Sequence, residues 1–236
     1  MKRDTIDLYQ IHWHDGKREI SDVMEDLEKY RKQGKIRWYG ISNIPLSLID
    51  TKLRPEGLVS FSMEYSLIQR KHEPEIINET MQAIHTLHGG KNLTFIAWGA
   101  LAQGLLSGKY NRHSVFADND IRSREHSVFS EKHWDYNEPI LCKLHQISLE
   151  NNKNMSQVAL RFVLDSIPSS MVLTGIKNTI QLNENQGTLG WNLAEKDIKA
   201  LKKISDKILT LRRQTKIRSY FSLFLKWAER IRSGSG

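Results

Sequence analysis

Thr5-Ile-Asp-Leu-Tyr-Gln-Ile-His-Trp-His-Asp15 is the stretch on which the reading of the fold turns. Ile6, Leu8, Tyr9, Ile11 and Trp13 make a short, nearly continuous apolar run, β-branched and aromatic in part. Such a run suits a strand buried on both faces of a parallel sheet. His14, Asp15 and Gly16 form a polar turn, so His12 falls where the strand ends. In a barrel of alternating strands and helices the chemistry sits at the carboxyl ends of the strands. That makes His12 a candidate catalytic group; a core His satisfied by backbone is the equally simple reading of its position.

Outward from this stretch, strands and helices alternate. Arg18–Gln33 carries Ile20, Val23, Met24, Leu27 and Tyr30 at helical spacing, with Gly34 as its stop. Ile36–Ser42 reads as a second buried strand, and a short helix from about Pro45 leads to a third, Val59–Tyr65. A helix over Glu73–Leu87 and a fourth strand, Leu93–Trp98, follow. Asn111–Ser130, polar with interleaved charges and aromatics, reads as an excursion carrying a loop function. Glu138–Asn151 and Ser156–Asp165 read as helices, the second with Ser156 near its cap. Met171–Thr174 is a fifth strand, before helices at about Thr179–Gly187 and Ala194–Ile208.

Strands separated by single helices imply parallel neighbours. A dinucleotide-binding doubly wound sheet wants a Gly-rich turn after its first strand. Trp13-His14-Asp15-Gly16-Lys17 is not one. The expected architecture is therefore α/β: a partial TIM-type (β/α) barrel of five parallel strands, curved but not closed. An eight-stranded barrel needs three more.

Charge and composition narrow the class. Of the net charge of +8, residues 207–236 carry eight basic residues and one acidic, or +7. That leaves +1 for residues 1–206, so a basic body for binding nucleic acid is excluded. One cysteine, Cys142, excludes a disulfide framework and a multi-Cys zinc site, and points to a reducing compartment. No apolar run reaches the roughly 18 residues of a membrane span. The expected location is cytoplasmic.

Ile6-Asp-Leu-Tyr-Gln-Ile-His-Trp13, Gly34-Lys-Ile-Arg-Trp-Tyr-Gly-Ile-Ser-Asn43, Met63-Glu-Tyr-Ser66, Ala97-Trp-Gly-Ala-Leu-Ala-Gln-Gly-Leu-Leu-Ser-Gly-Lys-Tyr110 and Gln181-Leu-Asn-Glu-Asn185 stand in a telling order. Each is weak alone, but the ordered set, from about residue 2 to 206, resembles the aldo-keto reductases. That family consists of nicotinamide-dependent β/α barrels. The resemblance begins at the family's fourth strand, with the first three strand–helix units absent.

The resemblance implies a carbonyl reductase using NADP or NAD and acting on a small carbonyl substrate. Such chemistry needs a hydride from the cofactor and a proton for the developing alkoxide. His12 matches the family's carbonyl-orienting His. The family's proton-donating Tyr, with its Lys and Asp, has no match here, and strand alternation points Tyr9 away from the face carrying His12. This chain alone is expected to be inactive; a non-catalytic nucleotide- or protein-binding module is the alternative.

Ser42 and Asn43 match the family's pair on the nicotinamide carboxamide. Ser62 stands where the family has Gln. Trp98 matches the aromatic that stacks on the nicotinamide, although a Trp ending a strand also reads as core. Gly99, Leu101, Gln103, Gly104 and Lys109 belong to the loop that borders the pyrophosphate in the family. Gly175, Lys177, Gln181, Glu184 and Asn185 match the segment around the adenosine and its phosphate. Gly99 and Ala100 replace a common Ser and Pro. No metal site is expected.

The organisation that follows is a barrel unit over residues 1–206 and a basic, amphipathic helical tail over 207–236 with a Ser/Gly end. Tyr220, Phe221, Leu223, Phe224, Leu225, Trp227 and Ile231 make Ile217–Arg232 an apolar, basic helix. Docking on the barrel or a partner is its favoured reading, and contact with an anionic membrane surface the other. Open barrel edges invite self-association or a partner chain.

Overall fold

Five strands lie side by side in chain order: β1 (Ile6–Ile11), β2 (Ile36–Ser42), β3 (Leu58–Glu64), β4 (Thr94–Trp98) and β5 (Ser170–Val172). Every neighbouring pair is parallel. A computed structural model describes residues 3–45, 48, 56–78, 93–124 and 127–211. The unbroken order is that of a barrel wall; a doubly wound sheet would reverse its strand order partway. The sheet does not close on itself: among the described residues β1 pairs only with β2, and β5 only with β4. The α/β architecture and the count of five parallel strands agree with the sequence.

The helices are α1 (Ile20–Lys32), α2 (the described part, 73–78), α3 (Glu131–Glu150), α4 (Met155–Ser166), α5 (Thr179–Gln186) and α6 (195–211). In α1, Ile20, Met24 and Leu27 recur at helical spacing and are buried, and Gly34 follows with a φ of 72°. Lys29, Arg31 and Lys32 in the last turn complement its dipole. Most boundaries shift from the sequence reading by a residue or two, and two helix starts show why. Helix α4 is capped by Asn154, whose side chain accepts from the Gln157 N–H in a reciprocal capping box, so the start falls ahead of Ser156. Helix α3 begins at Glu131 and runs through Pro139, whose ring it accommodates. The remainder of the Glu73–Leu87 helix, most of the short helix from Pro45, and the tail helix Ile217–Arg232 lie outside the described residues.

Alternation gives the sheet two unlike faces. Tyr39, Ile41, Phe61, Met63, Phe95 and Ala97 point to one side and are buried with α1, α3 and α4 in a single core. Phe95 packs on Phe61 and edge-on to Tyr65. The opposite face carries Gln10, Gly40, Ser42, Ser60, Ser62 and Thr94, in register across four strands. Gln10 reaches over Gly40: its Nε2 donates to the Ile41 carbonyl (2.6 Å) and its Oε1 accepts from Ser60 (3.1 Å). A Cβ at Gly40 would sit 2.2 Å from Ser60 Oγ and 2.3 Å from Gln10 Oε1, so the position must be glycine for this clip to form.

The two-faced burial expected for β1 is not found. Ile6, Leu8 and Tyr9 are 41–46% exposed, and Trp13 more so. The physical reason is position: β1 is an edge strand here, covered by β2 on one side only.

A buried ionic cluster fastens α6 to the segment after β3. The Glu73 carboxylate accepts from Tyr65 Oη (2.9 Å), from Arg70 Nε (2.8 Å) and Nη2, and from Lys202 Nζ (2.7 Å). Arg70 continues to the Lys202 carbonyl and to Asp206 (3.0 Å). Ser205 adds a 2.6 Å bond to the Leu67 carbonyl. These contacts hold the carboxyl end of β3 in place.

Candidate functional site

The carboxyl ends of β1, β2, β3 and β4 form one rim, and Asn43 knits it. Its backbone N–H donates to the Ser62 carbonyl (2.8 Å), and its φ of 59° is a left-handed conformation that Asn tolerates better than most residues. The side-chain Nδ2 donates to the His12 carbonyl and to Ser42 Oγ, both at 3.3 Å. Trp98 Nε1 donates to Asn43 Oδ1 at 3.1 Å. His12, Asn43 and Trp98 are thus at the same rim, as the sequence reading expects, with the His12 ring exposed. Ser42 and Ser62 are buried, and the Ser62 hydroxyl donates to the Ile96 carbonyl (2.8 Å). Tyr9 lies on the opposite parity of β1, away from this rim.

Directly after β4 the chain winds tightly. Gly99, Ala102, Gln103, Gly104 and Gly108 all have positive φ, from 49° to 96°. For the non-glycine pair this costs on the order of 1–3 kcal/mol each, a strain that characteristically gathers at ligand sites. The wound loop, including a short 3₁₀ helix (Ala102–Ser107), forms one wall of a cavity of about 440 Å³. The opposite wall is the segment after β5 and α5. Gly99, Leu101, Gln103, Gly104, Lys109, Gly175, Lys177, Gln181, Glu184 and Asn185 all line it. Residues far apart in sequence therefore converge on one concavity, while His12, Ser42, Asn43, Ser62 and Trp98 stay on the adjoining rim.

Polar contacts fix both walls. Lys109 Nζ reaches Glu184 Oε2 across the cavity at 3.3 Å. Asn178 caps α5 by accepting from the Gln181 N–H, and the Gln181 side chain accepts from the Lys177 N–H (2.8 Å). Asn185 Nδ2 donates to Thr174 Oγ1 (3.2 Å). Gln157 Nε2 donates to the Glu184 carbonyl (2.7 Å), tying the start of α4 to α5.

Sequence reasoning missed several lining residues, chiefly Tyr110, Arg122 and Ser156. Arg122 belongs to the excursion after the wound loop, and Tyr110 immediately precedes that excursion. Arg122 holds Asp120 through Nε (2.9 Å) and Nη2 (2.5 Å) and donates from Nη1 to Tyr110 Oη (2.6 Å). Its guanidinium also lies over the Phe116 ring at 4.4 Å, within a cluster of Phe116, Tyr110 and Phe129. Side-chain and backbone hydrogen bonds from Arg122 hold the Asp120 carboxyl down at about 2. The Tyr110 ring in turn sits under Gly104, where a Cβ would come within 3.1 Å of it. The interleaved charges and aromatics of 111–130 were the signal: they fold the excursion into a wall. Among the described residues no group of His, Cys, Asp and Glu is placed to hold a metal ion, and no helix is long and apolar enough to cross a membrane.

The model of the Aldo/keto reductase family matches residues 1–206. The chain is 25% identical to the aldo-keto reductase YhdN of Bacillus subtilis over 214 residues, 89% of this chain and 61% of that protein. It is 28% identical to the Schizosaccharomyces pombe aldo-keto reductase yakc, named for NADP(+), over 86% of this chain and 58% of the relative. Among solved structures, the glycerol dehydrogenase AKR11B4 of Gluconobacter oxydans superposes with a TM-score of 0.76 at 29% identity, covering 85% of this chain and 58% of that one. A Klebsiella pneumoniae aldo/keto reductase in complex with NADP and acetate shares the fold at 18% identity and a TM-score of 0.60. The chain spans about three-fifths of the length of the relatives it matches.

Proposed function

The chain belongs to the aldo/keto reductase family, and from that premise we propose that it supplies the cofactor-binding part of an NADP(H)- or NAD(H)-dependent carbonyl reductase. The observation that carries this reading is the convergence of the wound loop 99–109 and the segment 175–185 on one cavity beside the His12–Asn43–Trp98 rim. Lys109, Lys177 and the backbone of the wound loop are suited to a dinucleotide's anionic oxygens. Trp98 offers a ring for the nicotinamide, and Ser42, Asn43 and Ser62 neighbour its carboxamide. When bound, the cofactor supplies the hydride; His12 orients the carbonyl of a small substrate at the rim.

In this reading residues 1–206 carry the cofactor-facing part of the family's site, without a Tyr, Lys and Asp in the pattern that the resemblance implies. The chain is inactive alone, and the proton donor comes from a polypeptide segment that pairs with the open edges β1 and β5. The organisation proposed is a barrel-type unit over 1–206 with a basic tail over 207–236, working in the cytoplasm.

The test is to supply the purified chain with NADPH and an aldehyde and follow loss of NADPH absorbance. The proposal predicts no turnover above the protein-free rate. Turnover abolished by His12→Ala would refute it, because an acid within this chain would then be completing the reaction.

A further inference from the structure

Helix α6 has two unlike sides. Asp197, Leu201, Ser205 and Ile208 are buried against the fold. Lys196, Lys199, Lys203 and Lys207 recur at helical spacing and are all exposed, so they form one stripe on the side facing away from the core. The stripe runs about 17 Å along the helix at a rise of about 1.5 Å per residue. The carboxylates that flank it are already paired, Glu195 with Lys199 (2.6 Å) and Asp206 with Arg70 (3.0 Å). Lys196, Lys203 and Lys207 make no ion pair among the described residues.

The sequence beyond α6, outside the described residues, continues the charge and adds an apolar surface. Residues 212–236 hold seven basic residues and one acidic, Glu229. Placed on a helix at about 100° per residue, the apolar residues of 217–232 fall within an arc of about 200° centred on Phe224 and Ile231. Arg218, Ser219, Ser222, Lys226, Glu229 and Arg230 fill the remaining arc, and Arg232, at the end, is the one charge inside the apolar arc. A helix packed against a protein core typically shows an apolar stripe of roughly 100°. A helix lying in a lipid interface sinks its apolar side by about 5–10 Å, half or more of its diameter of about 10–12 Å. The wide arc fits the second environment.

We propose that α6 and residues 212–232 dock this chain on a membrane surface bearing anionic lipid headgroups. The lysine stripe meets the headgroups, the apolar arc of 217–232 enters the boundary of the acyl chains, and Arg218, Lys226 and Arg230 extend back to the headgroups. A nucleic acid would give the lysines phosphates but leave the apolar arc in water. The contacts of Arg70 with Asp206 and of Glu73 with Lys202 tie the docked helix to the segment after β3. The proposal stands independently of the dinucleotide site.

The experiment is flotation of the full chain with phosphatidylcholine vesicles, with and without phosphatidylserine. Each Lys or Arg near an anionic surface contributes about fivefold in affinity. The expected result is binding to the phosphatidylserine vesicles that weakens as salt is added. Phe224→Glu with Trp227→Glu should abolish it, and Lys196→Gln, Lys203→Gln and Lys207→Gln together should weaken it by about tenfold or more. Binding to neither vesicle, or equal binding to both, overturns the proposal, as does a triple-lysine variant that floats like the wild type. A chain that ignores vesicles, and whose size in gel filtration falls with Phe224→Glu and Trp227→Glu, also overturns it and assigns the apolar arc to a second copy.

Discussion

Removing the Glu73 carboxylate should be among the most damaging single changes in this chain. Four donor groups converge on it: Tyr65 Oη, Arg70 Nε and Nη2, and Lys202 Nζ. In Glu73→Leu, Lys202 can turn to water, since its side chain is 26% exposed. Arg70 and Tyr65 cannot, being buried. Leaving the Tyr65 hydroxyl without an acceptor costs about 1–3 kcal/mol, and orphaning a buried cation brings the total to about 3–5 kcal/mol. Asp206 remains for Arg70, which favours the lower end. Replacing both partners, Arg70→Met with Glu73→Leu, should recover most of the loss.

The same site gives a pH dependence. Burial pushes the Glu73 carboxyl up, but hydrogen bonds from Lys202 and Arg70 outweigh it and hold the group below its ordinary 4.5. A carboxyl depressed on folding stabilises fully above its unfolded pKa and loses that contribution as the pH falls through the folded one. The wild-type chain should therefore weaken below pH 4.5 more steeply than Glu73→Leu. Urea titrations at several pH values measure both effects. A single-variant loss under about 1 kcal/mol, the range of exposed pairs, would refute the view that this cluster is desolvated and holds α6 to the sheet.

Two further outcomes follow from particular contacts. Gly40→Ala places a methyl 2.2 Å from Ser60 Oγ and 2.3 Å from Gln10 Oε1, so it should cost about 1–3 kcal/mol in a thermal melt, and Gln10→Ala together with Ser60→Ala should restore most of it; a neutral Gly40→Ala would show that the clip is not formed. Arg122→Met removes the guanidinium that binds Asp120 and Tyr110, leaving only the backbone N–H on Asp120, and should speed limited proteolysis within 110–124, while Arg122→Lys, lacking the fork, should rescue only in part. Unchanged cleavage in Arg122→Met would mean that the excursion is held by its aromatic cluster alone.

Periodicity located every strand of the sheet to within a residue or two, because each is a compact apolar run bracketed by turn residues. Ile36–Ser42 coincides with its reading at both ends. Burial was less legible. The apolar residues of β1 look internal, yet their exposure depends on what pairs with its free edge, which local pattern does not encode. Helix α3 starts seven residues ahead of Glu138, the start read from the sequence, and passes through Pro139. At the site, the ordered motifs marked the residues that meet in the cavity. They did not mark Arg122, whose place follows from stacking on Phe116 and hydrogen bonding to Tyr110. Nor did they show that Asn43 and Trp98 bond to each other; that contact appears only when β2 and β4 are brought to a common rim.

The most direct test of the dinucleotide site is amide hydrogen exchange on the full chain with and without NADPH. The account predicts slowed exchange at the wound loop 99–110 and at 174–186, the two walls of the cavity, and at the adjoining rim around Asn43 and Trp98. Protection that falls elsewhere, or none at a NADPH concentration that saturates in calorimetry, would contradict it.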